Sequence, residues 1–462
     1  MNRSVWGALG LVVLLPLGTL DRQTPWDLAI VHAAVLDVRT GEVLRDRTVL
    51  IRDGTIGAVA ANAAITPAAR RVIDAHGRLL TPGLIDVHLH TFLILGDSLV
   101  MQRDSIESYR RVLAETYLPY GVTTVRDVGS SEAWLPMLLK WMQRTPVAPD
   151  FYPSGAQLIS PEAGRTPAAH QVVLEDSAAG AAKVRQYYAL GIRNIKLYWR
   201  LKEPAFKGAL YEAKALGMNV TGHIDLQVMT IDRALDLGLR HLEHIHPFAY
   251  SVMTEAGFDS VLAQVPTTLG IRPPPFPPTA IYMNVPELWN YLGPENARVL
   301  ALVAKVKALN CSVTPTLHVF AQRYGLAYFE SAPRDSTENT AVWTAQQHAR
   351  ARAGYAMMAS YVRRMYEAGI RLDLGTDAHD AGKAALSEML LLHDAGIPMW
   401  AVFRIATIDS AQDIGHGAEY GAIEVGKRAN LILFEGNPLN RAADLLGTKT
   451  VIKDGVVWRG GI

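Results

Sequence analysis

The sequence predicts an α/β fold: a (β/α)8 TIM barrel carrying a small discontinuous β-sandwich domain built from both chain ends. Three observations predict it. Eight short apolar runs alternate with helical patterns through the middle of the chain. Val- and Ile-rich segments broken by Asp-Gly turns occupy both flanks. Side chains able to hold a metal stand where several of the apolar runs end. With 462 residues, 49% of them hydrophobic and 19% charged, the chain has the length for one large barrel and a smaller second unit.

At the amino end, Arg3 precedes an apolar stretch from Val5 to Leu17, and polar Asp21-Arg22-Gln23 follows. This is the order of a secretory signal, and it is short for a membrane span of about 20 residues. No small-x-small cleavage site stands out. Residues 1–22 are therefore expected to be an export signal or an N-terminal anchor. That makes the protein periplasmic, secreted or membrane-anchored, and cytoplasmic if the segment is only an apolar extension. From Asp27, strand-like runs continue through Ile30-Val31, Thr48-Val49-Leu50-Ile51 and Ile56-Gly57-Ala58-Val59. The same texture returns in Leu431-Ile432-Leu433-Phe434 and Thr450-Val451-Ile452. Asp53-Gly54 and Asp454-Gly455 supply hairpin turns. Neither flank closes a core alone, so 27–82 and 424–460 are read as the two parts of one β-sandwich domain, with 83–423 as the barrel.

Within the barrel the apolar runs are 84–90, 121–127, 151–156, 192–198, 218–223, 239–245, 311–317 and 370–377. Helical patterns fall at 105–118, 178–190, 205–216, 230–237, 295–309, 342–368 and 386–395. Eight alternations fit a closed parallel barrel better than an open doubly wound sheet. No Gly-x-Gly-x-x-Gly follows the first run, which argues against dinucleotide binding. The formal net charge of +1, from 45 Lys+Arg and 44 Asp+Glu, offers no field for nucleic acid. Cys311 is the only cysteine, which excludes an intramolecular disulfide and thiolate metal clusters.

Buried barrel strands should be continuously apolar, yet several runs end in metal-competent groups. His88 and His90 are two apart, so both rings point to one side of a strand. Lys196 lies in the fourth run, His223 ends the fifth, His244 ends the sixth and Asp377 ends the eighth. A lone strand histidine is more often a hydrogen-bonded structural group than a ligand. Joint occurrence at the ends of successive strands, where barrel active sites sit, favours a metal site.

These residues carry a resemblance. The chain resembles the amidohydrolase superfamily, in the branch containing metal-dependent prolidases and imidazolonepropionase-like enzymes. The first-strand motif stands as Pro82-Gly83-Leu84-Ile85-Asp86-Val87-His88-Leu89-His90, and the second as Gly121-Val122-Thr123-Thr124-Val125-Arg126-Asp127-Val128-Gly129. The eighth-strand aspartate is in Gly375-Thr376-Asp377, and the C-terminal signature is Gly426-Lys427-Arg428-Ala429-Asn430-Leu431. The likeness covers residues 27 to 460. Asn430 departs from the family's usual Asp, and Tyr198-Trp199-Arg200 replaces the Gly-Gly that prolidase relatives often carry after the lysine.

The resemblance implies two divalent cations, zinc by preference. It assigns His88, His90 and Asp377 to the buried ion and His223 and His244 to the exposed one, with Lys196, carboxylated by carbon dioxide, between them. An unmodified ammonium has only donors and would repel metals, whereas a carbamate supplies two anionic oxygens. The bland reading of Lys196 is an ion pair with Asp377 in a mononuclear site. The implied reaction is hydrolysis of an amide, peptide-like or cyclic amide C–N bond by a bridging hydroxide, with Asp377 as proton shuttle.

Tyr198 and His318 are further candidates for contact with the substrate carbonyl, against packing or loop hydrogen bonding. His246 and His379 are weaker candidates for the cleft wall. Arg126 or Arg200 would receive a substrate carboxylate or form a salt bridge. His241 and Cys311 read as structural. The Pro-rich and aromatic stretch Arg272–Tyr282, with Trp289 and Tyr291, suggests a partial lid, or else a surface buttress or dimer contact. The substrate is expected to be a small molecule, an amino-acid or dipeptide derivative with an apolar part. Homo-oligomerisation is compatible with the resemblance but not readable from the residues. Two other readings stand beside amide hydrolysis: a lactonase or phosphotriesterase-like hydrolase at the same site, and a non-catalytic binding or assembly protein that keeps the barrel.

Overall fold

The computed structural model describes residues 25–62, 68–95, 106–164, 166–224, 228–254, 256–257, 260–261, 281–329 and 343–458. Eight barrel strands follow in chain order: β1 (Leu84–Leu89), β2 (Val122–Asp127), β3 (Asp150–Pro153), β4 (Asn194–Leu197), β5 (Asn219–Gly222), β6 (His241–Glu243), β7 (Ser312–Thr314) and β8 (Arg371–Leu372). β1, β2 and β3 form one parallel ribbon, and β4 to β8 pair parallel in sequence order. The ring closes at two seams. Val87 N–H donates to the Leu374 carbonyl at 2.8 Å, joining β1 to the segment after β8. At the other seam the chain turns at Gly155 (φ 75°) and continues as the strand Gln157–Ile159, which pairs with β4 through Leu158 and Leu197.

The helices stand where the periodicity places them, because their first turns are capped. Asp176, Thr230 and Asn296 accept backbone N–H groups at three helix starts, and Thr344 with Gln347 forms a reciprocal capping box. The strands are shorter than the apolar runs. In the run 370–377 only Arg371–Leu372 is paired as strand, because the residues beyond it bend across the barrel mouth to bond with β1.

The two flanks share one eight-stranded sheet. Leu431–Phe434 lies between Leu79–Pro82 and Lys449–Lys453, so the carboxy-terminal strands extend the amino-terminal ones. The long strand Trp26–Leu36 changes partner along its length. Its first half pairs with Ala69–Asp74, and Ala34 and Val35 pair with Leu79 and Leu80. The switch falls at His32, which has a φ of 54°. Leu28, Ile30, Val49, Ile51, Leu431, Leu433 and Ile452 form a core separate from the barrel's. Asn430 bonds Asp150 through Nδ2 (3.3 Å) and accepts the Asp454 N–H (2.9 Å).

The expectation of membrane anchoring is corrected. Among the described residues no helix is long and apolar enough to cross a membrane, and the 1–22 segment on which that expectation rested lies outside them.

Candidate metal centre

β1 supplies His88, and His90 follows one residue beyond its end; both rings are buried. His88 Nδ1 lies 2.5 Å from a Glu243 oxygen, and its Nε2 has no hydrogen-bond partner. His90 Nδ1 donates to the Gly129 carbonyl at 2.9 Å. Beneath them Asp86 is fully buried, accepts the Thr376 hydroxyl at 2.7 Å and ties β1 to the segment after β8. Burial pushes its carboxyl up to about 7. Gly375 is required at that seam, since a Cβ there would meet His88 Cβ at 2.5 Å.

Three non-glycine residues at the mouth are left-handed: His244 (φ 65°), Thr316 (φ 52°) and Asp377 (φ 46°). Such conformations cost on the order of 1–3 kcal/mol each and gather at functional sites. Each is pinned by its surroundings. Asp377 N–H donates to the His88 carbonyl and His244 N–H to the Thr314 carbonyl, both at 2.8 Å. His244 Nδ1 is 2.7 Å from the Thr316 hydroxyl.

Asp377 is central. Its Oδ1 is 3.8 Å from His88 Nε2 and 3.5 Å from His90 Nε2, and its Oδ2 is 3.9 Å from His244 Nε2. His88, His244 and Asp377 each present one ligand atom within 4.8 Å of the others. That spacing suits a single cation with N and O ligands at about 2.0–2.2 Å. This compact group takes one member, His244, from the set expected at the exposed ion. The His223 ring centroid is 4.4 Å from that of His244, and its Nε2 is buried without a partner. Burial first, then neighbouring positive groups, holds His90, His223 and His244 well below the usual imidazole range. They are therefore neutral, the form that ligates.

Lys196 on β4 is buried, with Nζ 3.7 Å from Glu243 Oε1 and no hydrogen bond. Burial lowers its amine to about 8, against the raising influence of Glu243 and Asp377. Its ion-pair neighbour is thus Glu243, to which the sequence reading gave no role. A charged residue inside an apolar barrel strand was the available signal.

Among the other candidates, Tyr198 packs edge-on to His223 with ring centroids 5.4 Å apart. His246 joins the cluster, 5.0 Å from His244 and 5.2 Å from Phe320 by ring centroids, and neither of its nitrogens has a partner. Burial lowers His246 to about 3. His318 is buried with Nδ1 2.9 Å from the Ser387 hydroxyl and an unpartnered Nε2. The Glu388 carboxylate fixes the backbone there, accepting the N–H groups of Leu317 and His318 at 2.9 and 2.6 Å. His379 Nδ1 bonds the Leu93 carbonyl at 2.8 Å.

Arg126 does not face a substrate. It is 1% exposed, its Nη1 lies 2.7 Å from Asp413, its Nη2 3.4 Å from Glu243, and its Nε donates to the Val87 carbonyl. A π-helical turn, Ile405–Asp409, leads into Ser410–Asp413, the short helix that carries Asp413. His241 bonds the same Asp413, as its structural reading requires. Arg200 pairs with Glu162 and stacks on Trp199. Of the expected lid, Trp289 is instead buried against Tyr361, because its helix packs on Ala345–Glu367. The proline run 272–278 lies outside the described residues.

Comparison with known proteins agrees with this architecture. Residues 291–458 match the model of the amidohydrolase family. An N-substituted formamide deformylase from Arthrobacter pascens is 32% identical over 112 residues, 21% of this chain and 20% of that protein. Adenine deaminase 2 from Rhizobium etli is 38% identical over 107 residues, 22% of this chain and 15% of that protein. These matches span a fifth or less of the relatives' own lengths. The crystal structure of a putative prolidase from Bifidobacterium longum superposes with a TM-score of 0.66 at 23% identity, covering 94% of this chain and 95% of that one.

Proposed function

We propose that this chain, which belongs to the amidohydrolase superfamily, is a metal-dependent hydrolase that cleaves a carbon–nitrogen bond in a small amide, peptide-like or cyclic amide substrate. One observation carries the reading: His88, His244 and Asp377 bring ligand atoms within 4.8 Å of one another. Unpartnered buried nitrogens of His88, His223 and Lys196 accompany them.

His88, His90 and Asp377 would hold one cation, His223 and His244 a second, and carboxylated Lys196 would lie between them. The all-nitrogen-and-oxygen donor set suits zinc. Bound there, the cations supply Lewis-acid charge that activates water near neutral pH and polarises a carbonyl oxygen. Asp377 takes the proton of the attacking water and returns it to the departing nitrogen. At 24% side-chain exposure it is the open member of the group, while His88 and His244 beside it are closed at 1% and 3%. Tyr198 donates to the substrate carbonyl from beside His223. Phe320 and Tyr250, both packed on His246, offer an apolar wall to the rest of the substrate. The names of the relatives, a formamide deformylase, an adenine deaminase and a putative prolidase, favour a bond to nitrogen.

The test is activity profiling of zinc-loaded protein against N-acyl amino acids, Xaa-Pro dipeptides, hydantoins, lactones and aryl phosphotriesters. Turnover of at least one amide class is expected. Turnover confined to lactones or phosphotriesters would overturn the substrate class, and none at all would leave a metal-binding barrel without this activity.

A further inference from the structure

We infer that Glu243 is a positioning residue shared by both halves of the centre, holding the His88 ring and the Lys196 amine at once and thereby setting how tightly the site takes its metal. The inference rests on the reading that His88 and Lys196 serve bound cations. Glu243 is buried, and four donors converge on it. His88 Nδ1 lies 2.5 Å from Oε2. On Oε1 are the Thr221 hydroxyl, Arg126 Nη2 at 3.4 Å and Lys196 Nζ at 3.7 Å. An ionised carboxylate has about four acceptor positions and no donor, so this side chain is matched to its surroundings.

The arrangement has two consequences. Accepting the Nδ1 proton of His88 leaves Nε2 with a free lone pair directed toward Asp377, the tautomer a ligand needs. Lys196 Nζ stands at ion-pair rather than hydrogen-bond distance from Glu243, so the carboxylate steadies the ammonium by charge. Backbone geometry allows Glu243 and His244 to serve one site. Neighbours on a regular strand point to opposite faces, but His244 has left-handed backbone (φ 65°) and turns into the mouth while Glu243 stays beneath it. From below, Arg126 closes the remaining side of Glu243, itself fixed by Asp413 at 2.7 Å and the Val87 carbonyl at 2.8 Å.

Glu243→Gln tests this, because the amide must turn its NH2 toward at least one of the four donors. Zinc affinity is measured by competition with a chromogenic chelator, alongside thermal unfolding of the metal-free protein. The expected result is a fall in zinc affinity of about 10–100-fold. Zinc affinity unchanged in Glu243→Gln overturns the inference. If that variant does not fold, the tautomer of His88 in metal-free wild-type protein decides instead, read by histidine 15N correlation spectra and assigned by loss of the signal in His88→Gln. A proton on Nδ1 supports the role of Glu243, and a proton on Nε2 overturns it. Wild-type protein that binds no zinc defeats the functional reading, while the tautomer still decides the role of Glu243.

Discussion

Arg126 separates two accounts of the barrel floor, and Arg126→Met is the perturbation that does so. The guanidinium is 1% exposed and lies against two buried carboxylates, Asp413 at 2.7 Å and Glu243 at 3.4 Å, while Nε serves the Val87 carbonyl. Breaking a buried ion pair by removing one partner costs about 3–5 kcal/mol, and the lost hydrogen bond adds about 1 kcal/mol. Methionine fills much of the volume, so the cavity contribution is small. The expected loss is about 4–6 kcal/mol. With about 2.1 cal/mol/K of unfolding entropy per residue, 462 residues carry about 1 kcal/mol/K. The unfolding temperature of the metal-free protein should therefore fall by about 4–6 °C in calorimetry. Adding Asp413→Asn should recover part of the loss, because it removes one of the two stranded charges. Wild-type stability in Arg126→Met, with KM raised only for substrates bearing a carboxylate, would refute this reasoning and make Arg126 a substrate group.

Three further outcomes follow from the site. Asp377→Asn should stay folded and lower kcat by about 10²–10⁴, the usual worth of a general acid–base group; wild-type kcat with metal still bound would remove its shuttle role. Burial holds His90, His223, His244 and His246 below 6.5, His246 to about 3. The unfolded chain takes up protons below pH 6.5 while these native imidazoles do not, so their contribution to metal-free stability is full above pH 6.5 and is lost toward pH 3, by up to about 1.4 kcal/mol per pH unit for each. The buried carboxyls of Asp86 and Glu388, raised to about 7 and about 8, act in the opposite sense. His246→Asn should therefore lose less stability than wild type between pH 7.5 and 5.5 in urea titrations, and an identical loss would contradict this. Removal of metal by dipicolinate should abolish turnover, and zinc at 100 times its Kd should restore it with a gain of about 2.7 kcal/mol in stability; turnover that survives complete metal removal would exclude a metal-dependent mechanism.

Much of the fold was legible because its signals are local. Apolar runs and helical periodicity placed the barrel elements, and a histidine, lysine or aspartate closing an apolar run is conspicuous in any sequence. The Asn430 departure was visible too, but its partner Asp150 lies 280 residues away and only folding brings them together. The same distance hid the network under the metal ligands. Glu243 stood in plain view beside His244, yet its four donors come from β1, β2, β4 and β5. Arg126 was read as a substrate group or a salt-bridging one. Only the inward register of β2 and the π-helical turn before Asp413 decide between them. Trp289 looked like lid material by composition, and the packing of its helix against Tyr361 turned it into core.

Anomalous diffraction from zinc-loaded crystals, recorded on both sides of the zinc edge, tests the central claim most directly. A peak within about 2.0–2.2 Å of His88 Nε2, His90 Nε2 and an Asp377 oxygen, with a second beside His223 and His244, is the predicted result. Zinc bound elsewhere on the chain, with these groups left bare in fully loaded crystals, would contradict it.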